Sequence, residues 1–110
     1  MNAIVDRYEQ AKRDAVTHGA KLLDEQHAGW WRKVDTDDLL MHNCLKCVLG
    51  QVLGGFWTGM DVIKQANPHT SIDPSLYGFD AWLSEDLNYD QLLGWWTEEI
   101  EARKAVHAQT

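Results

Sequence analysis

His42-Asn43-Cys44-Leu45-Lys46-Cys47 brings both cysteines of the chain and a histidine within six residues, and it runs directly into Val48-Leu49-Gly50-Gln51. Thiolate and imidazole suit tetrahedral zinc, and a Cys-x-x-Cys chelates it. His42, Cys44 and Cys47 are therefore the candidate metal ligands, with His27, His69 or His18 as the fourth. Against zinc, the chain has no second Cys-x-x-Cys and no His-x-x-x-His. Redox chemistry is the second reading, because a helix N-terminus next to a Cys-x-x-Cys stabilises thiolate. The third reading is that both cysteines are small apolar residues, three apart on one face of a buried helix. It carries the most weight, so no cofactor is expected, with zinc as the alternative. No Gly-rich phosphate loop, Gly-x-Ser-x-Gly or His-Glu-x-x-His occurs, and the chain is read as non-enzymatic.

The elements that position this segment read as helices. Ile4, Tyr8, Ala11, Ala15, His18 or Gly19, and Leu22 recur at helical spacing, which predicts a helix over 3–26 with Asn2 as N-cap. Gly19 weakens a helix interior by roughly 1 kcal/mol relative to Ala, so it points to a kink or a close helix contact. Gly29 breaks the helix. Asp35-Thr36-Asp37-Asp38 before Leu39-Leu40-Met41 reads as a short capped helix. Residues 44–53 are apolar nearly all round and predict a central helix. Gly50 and Gly54 give it a shallow face for another helix or an indole ring. Phe56 to Gln65 forms a further helical piece, and the loop Asn67–Pro74 holds both prolines. Ser71 or Asp73 caps a turn containing Leu76-Tyr77-Gly78-Phe79. A last helix is predicted from Tyr89 to Val106, with Asn88 as N-cap and Gln91 at N3. Its buried stripe is Tyr89, Leu92, Leu93, Trp96 and Ile100. No segment alternates with the period of a strand. The expectation is a single all-α domain over 1–110, a compact bundle of four to five helices around the 44–53 helix.

At 110 residues with 45% hydrophobic content and six tryptophans, one real core can form without disulfide staples. No apolar run approaches a membrane span. Met1-Asn2-Ala3-Ile4-Val5-Asp6-Arg7 meets charge at once and lacks a signal-peptide core. A cytoplasmic location with reduced thiols follows as the expectation. The net charge of −7 is unevenly placed, with no Lys or Arg between Lys64 and Arg103. Asp73, Asp80, Glu85, Asp86, Asp90, Glu98, Glu99 and Glu101 fill that interval. Direct nucleic-acid binding needs a basic face and is disfavoured. An acidic face attracts a basic partner or imitates DNA, unless it is simply a solvated surface.

Neighbouring residues on a helix point about 100° apart, so Trp95 and Trp96 cannot both lie on one buried stripe. Trp96 fits the stripe and Trp95 sits at its edge. An edge tryptophan suits a partner or a homodimer. Trp95 and Trp30, with the carboxylates Glu98 and Glu99, are the candidate partner-binding residues.

Several short runs carry a resemblance over about residues 20–104. They are Leu22-Leu23-Asp24-Glu25, Gly29-Trp30, Val34-Asp35 with Leu39, Cys44-x-x-Cys47-Val48-Leu49-Gly50-Gln51, and Gly78-Phe79. Together they resemble a family of small proteins of no assigned activity, encoded by actinobacteriophages and their actinobacterial hosts. The Cys-x-x-Cys-Val-Leu-Gly-Gln core is the most specific part, and His42 is outside the pattern. The resemblance implies a setting in the cytoplasm of a bacterial host and implies no activity. Taken together, the expected function is that of a small phage-type accessory protein that binds a host or phage protein. The alternatives are a zinc-binding or redox-responsive protein centred on the Cys-x-x-Cys, and an acidic DNA mimic.

Overall fold

The computed structural model describes the backbone of residues 3–80 and 86–108 and the side chains of residues 9–80 and 89–108. The chain is all-α, with no strand among the described residues. Among the described residues four α-helices follow in order: α1 Ala3–Gln26, α2 Val48–Leu53, α3 Phe56–Ala66 and α4 Asp86–Ala108. Short 3-10 turns at Trp30–Lys33 and Pro74–Tyr77 complete the set.

α1 has the bounds its periodicity predicts, but its buried face is turned by about one residue. Ala15, Val16, Gly19, Ala20 and Leu23 are buried and His18 is exposed. The predicted positions Ile4 and Tyr8 and the Asn2 cap lie outside the described side chains. Gly29 ends the segment in the left-handed conformation, at φ 80°.

Gly19 marks a close contact, although its neighbour is a turn and not a helix. A Cβ there would run into the carbonyl of Tyr77. On the other side of the same joint, a Cβ on Gly78 would lie 2.7 Å from Cα and Cγ2 of Val16. Gly78 also has φ 70°, the left-handed region that favours glycine. Asp73 organises this turn, because its Oδ1 accepts from Ser75 N at 3.0 Å.

α4 runs beside α1 and starts two residues before the predicted Asn88 cap, so Asn88 lies inside the helix. Leu92, Trp96 and Ile100 are buried, and Tyr89 and Leu93 flank them half-buried. Trp96 is at the centre of the core. It stacks on Phe79 (5.6 Å between rings), meets Trp30 edge-on (5.7 Å), and donates from Nε1 to the Gly78 carbonyl at 2.7 Å. Asp24 of α1 ties three elements together. Its carboxylate accepts from Trp30 Nε1 at 2.9 Å and from Arg103 Nη2 of α4 at 2.7 Å. Those arginine hydrogen bonds hold the Asp24 carboxyl below its ordinary range, against the opposing effect of burial.

Two predicted elements need correction. Residues 35–41 form turns and not a capped helix. The Asp35 carboxylate accepts from Asp37 N at 3.0 Å, closing a side-chain turn that competes with helix. Leu39 and Met41 then alternate inward about the exposed Leu40. The central helix begins at Val48 and not at residue 44. Asn43 Oδ1 takes the amides of Leu45 and Lys46 at 2.9 and 3.0 Å, and Cys47 is the N-cap, with ψ 176°. What remains of the helix is deeply buried at Val48, Leu49, Gly50 and Val52.

Candidate functional site, an aromatic cleft beside the cysteine pair

The Asn43–Cys47 turn and the start of α3 are joined by one backbone hydrogen bond, from Phe56 N to the Cys44 carbonyl at 2.8 Å. Gly50 lets the turn sit close. A Cβ there would lie 2.6 Å from the Cys44 carbonyl oxygen, with the Leu45 backbone equally near. The close neighbour of Gly50 is thus the chain's own preceding turn, and not another helix or an indole ring. Gly54 faces open space. Gly50→Leu is expected to destabilise by roughly 3 kcal/mol, the upper end for overpacking. An unchanged urea midpoint would show that the turn yields freely.

A cleft of about 190 Å³ opens where these pieces meet. Met41, His42, Cys44, Cys47, Phe56, Trp57, Phe79, Asp80 and Tyr89 are among the residues that line it. The fold therefore gathers His42, Cys44 and Cys47 at one place. The two cysteines differ sharply there: Cys44 is exposed and Cys47 is buried. This corrects the picture of two thiols on one face of a helix. Cys47 Sγ accepts from Gly50 N at 3.3 Å, capping α2 in the manner of a serine. Burial pushes the Cys47 thiol above its ordinary range, and the capping amides oppose that rise only partly.

Among the described residues, no group of three His, Cys, Asp or Glu side chains is placed to hold a metal ion. Of the histidines considered as a fourth ligand, His27 directly follows α1 with Nε2 buried and unpartnered. His18 lines a different groove with Asp14 and Tyr77. His69 is exposed in the proline loop.

Tyr89 closes another side of the cleft. Its hydroxyl donates to Asp80 Oδ1 at 2.8 Å, and its ring meets His42 edge-on at 6.0 Å. Burial, and then the Asp80 carboxylate, push its pKa up to about 12. The folded state holds this proton more tightly than the unfolded chain does. Stability therefore falls as pH rises from about 10 towards 12. Tyr89→Phe is expected to flatten that alkaline slope in melts taken across the range. An unaltered slope would place its cause elsewhere.

The partner-binding candidates separate under the same scrutiny. Trp30 is 1% exposed and belongs to the core, so it cannot meet a partner. Trp95 is half-buried at the edge of α4, beside Arg13 of α1. Glu98, still exposed, pairs with Arg13 of α1 at 3.1 Å, and Glu99 pairs with Arg103 one turn along α4 at 2.9 Å. Glu101 turns another way and accepts from Thr36 Oγ1 at 3.4 Å. These three acidic side chains leave α4 towards different neighbours. The Glu85 and Asp86 side chains lie outside the described residues.

Sequence reasoning missed Trp57, which is 72% exposed at the cleft. Leu45, next in the chain to Cys44, is 70% exposed. The signal was present. Phe56, Met60 and Ile63 recur at helical spacing, and the 100° step puts Trp57 off that stripe. No helix among the described residues is long and apolar enough to cross a membrane.

No protein-family model, curated protein or solved structure matches this chain.

Proposed function

We propose that this is a non-enzymatic accessory protein that binds a host or phage protein, with Trp57 as its anchor. The observation that carries the reading is the 72% exposure of Trp57 at an apolar-walled cleft, next to a turn that presents Leu45 at 70%. Large apolar side chains on a small domain are normally withdrawn from water, and a cluster of exposed ones marks a contact surface. Tryptophan is also enriched among residues that dominate binding energy. Size supports the same conclusion. The cleft, at about 190 Å³, is smaller than the roughly 300–1,000 Å³ of small-molecule and cofactor sites. It suits one inserted side chain better than a cofactor.

The test is affinity capture from actinobacterial cells, with light scattering of the pure protein. Trp57→Ala is expected to weaken capture of the partner by about 30-fold, as for a hot spot of about 2 kcal/mol. Trp57→Ala should leave the melting temperature nearly unchanged. A doubled mass in scattering, lost in the variant, would identify a second copy of the chain as the partner. A strictly monomeric protein that captures nothing, or an equal yield with Trp57→Ala, would overturn the proposal.

A further inference from the structure

We propose that Cys44 and Cys47 form a thiol–disulfide exchange site, which a small-molecule disulfide converts to an intrachain bond. The proposal does not rest on the interaction reading. Three geometric facts carry it. First, Cys47 N donates to the Asn43 carbonyl at 3.0 Å, so residues 43–47 make one α-helical turn. Cα atoms three apart in such a turn are separated by about 5 Å, inside the window of roughly 4.4–6.8 Å that a disulfide spans. Second, both cysteines line the same cleft, and Cys47 Sγ lies 3.8 Å from the Cys44 carbonyl oxygen. Third, the turn is held against α2, because Gly50 leaves no room between them and Phe56 N ties the Cys44 carbonyl to α3.

The two thiols have unequal roles. Cys44 is exposed and meets the incoming disulfide, while Cys47 is buried three residues on and lines the same cleft. In the first step Cys44 thiolate attacks one sulfur of oxidised glutathione. The glutathione S–S bond breaks, a Cys44–glutathione bond forms, and one glutathione leaves as thiolate. In the second step Cys47 loses its proton and attacks Cys44 Sγ. The Cys44–Cys47 bond forms and the second glutathione leaves. The two thiol protons of the protein end on the two departing glutathiones. The protein dithiol is oxidised by two electrons and the glutathione disulfide is reduced by two. Burial keeps the Cys47 thiol protonated more than an exposed one. That suits a resolving thiol, which attacks only once a sulfur is delivered beside it.

The test incubates the native full chain with oxidised glutathione, then alkylates it and weighs it. The wild type is expected to lose two hydrogens and both alkylatable thiols, retain no glutathione and remain monomeric. Cys47→Ser keeps a capping oxygen at the α2 N-terminus, and it is expected to trap one glutathione on Cys44. Cys44→Ser is expected to take up glutathione at least about a hundredfold more slowly, since Cys47 reacts only on local opening. The wild-type result decides the matter even if a variant folds poorly. Stable glutathionylation of Cys44 in the wild type, covalent pairs of chains, two persistent free thiols, or an intrachain bond formed only in denaturant would each overturn the proposal. Equal glutathionylation rates in the two variants would do the same.

Discussion

Gly19→Ala is expected to destabilise the protein by about 3 kcal/mol or more, beyond the usual range for a single methyl group. The sign is the point. In an exposed helix interior the same change stabilises by roughly 1 kcal/mol, because alanine is the better helix former. At Gly19 a Cβ would collide with the Tyr77 carbonyl and lie 3.1 Å from Cη2 of Trp96. Neither neighbour can retreat. The Tyr77 carbonyl belongs to a turn held by the Asp73 cap and by Phe79 N donating to the Pro74 carbonyl at 2.9 Å. Gly78 pins the far end of the turn against the Val16 backbone. Trp96 is fully buried. Gly94→Ala in α4 is the control, since a Cβ there meets nothing within 4 Å. It should raise stability by up to about 1 kcal/mol. Urea unfolding of both variants gives the comparison. A Gly19→Ala protein as stable as the parent would show that the 74–78 turn is not fixed against α1.

Gly19 also shows what kind of information a sequence exposes. Its cost to helix propensity signals a close contact, and the contact exists. Its partner, the Tyr77 carbonyl, is 58 positions away, and no local pattern names it. The long helices are legible because many apolar positions vote for one period; α1 keeps its predicted bounds for that reason. Short segments are not legible in this way. Asp35–Asp38 before Leu39-Leu40-Met41 looks like a cap and a helix, yet a single aspartate hydrogen bond diverts it into turns. A helix of that length gains too few bonds to repay its nucleation. The central helix is cut at Cys47, whose extended backbone (ψ 176°) separates α2 from the single turn that Asn43 caps, and no residue type at that position announces the break.

The candidate site divides similarly. The proximity of His42, Cys44 and Cys47 is local and could be read; the burial of one thiol and exposure of the other could not. Trp30 and Trp57 exchange roles for tertiary reasons. Trp30 finds Asp24 for its N–H and Trp96 for its ring. The α3 stripe leaves Trp57 outside. The pairing of Glu98 and Glu99 with arginines likewise depends on how α1 and α4 meet and on the register along α4.

Trp96→Ala should cost roughly 4–5 kcal/mol, the upper range for removing a buried tryptophan. That is a large share of the roughly 5–15 kcal/mol that stabilises a domain of this kind. The loss has three parts. An indole that is 0% exposed leaves a cavity between α1 and α4. Two ring contacts disappear, the stack on Phe79 and the edge contact with Trp30. The Gly78 carbonyl also loses the donor that reaches it at 2.7 Å, and an unsatisfied buried carbonyl costs about 1–3 kcal/mol. Trp96→Phe separates these terms. It keeps most of the packing but not the hydrogen bond, so it should fall between the parent and Trp96→Ala. Trp57→Ala supplies the opposite case. At 72% exposure its effect on stability should stay within about 0.5 kcal/mol, while the proposed anchor role predicts a large loss of partner capture. Urea unfolding of the three variants, read by circular dichroism so that lost indoles do not bias the signal, checks the order. Equal midpoints for Trp57→Ala and Trp96→Ala would contradict the division of these tryptophans into core and surface, because only Trp96 has a fully buried ring and a hydrogen bond to lose.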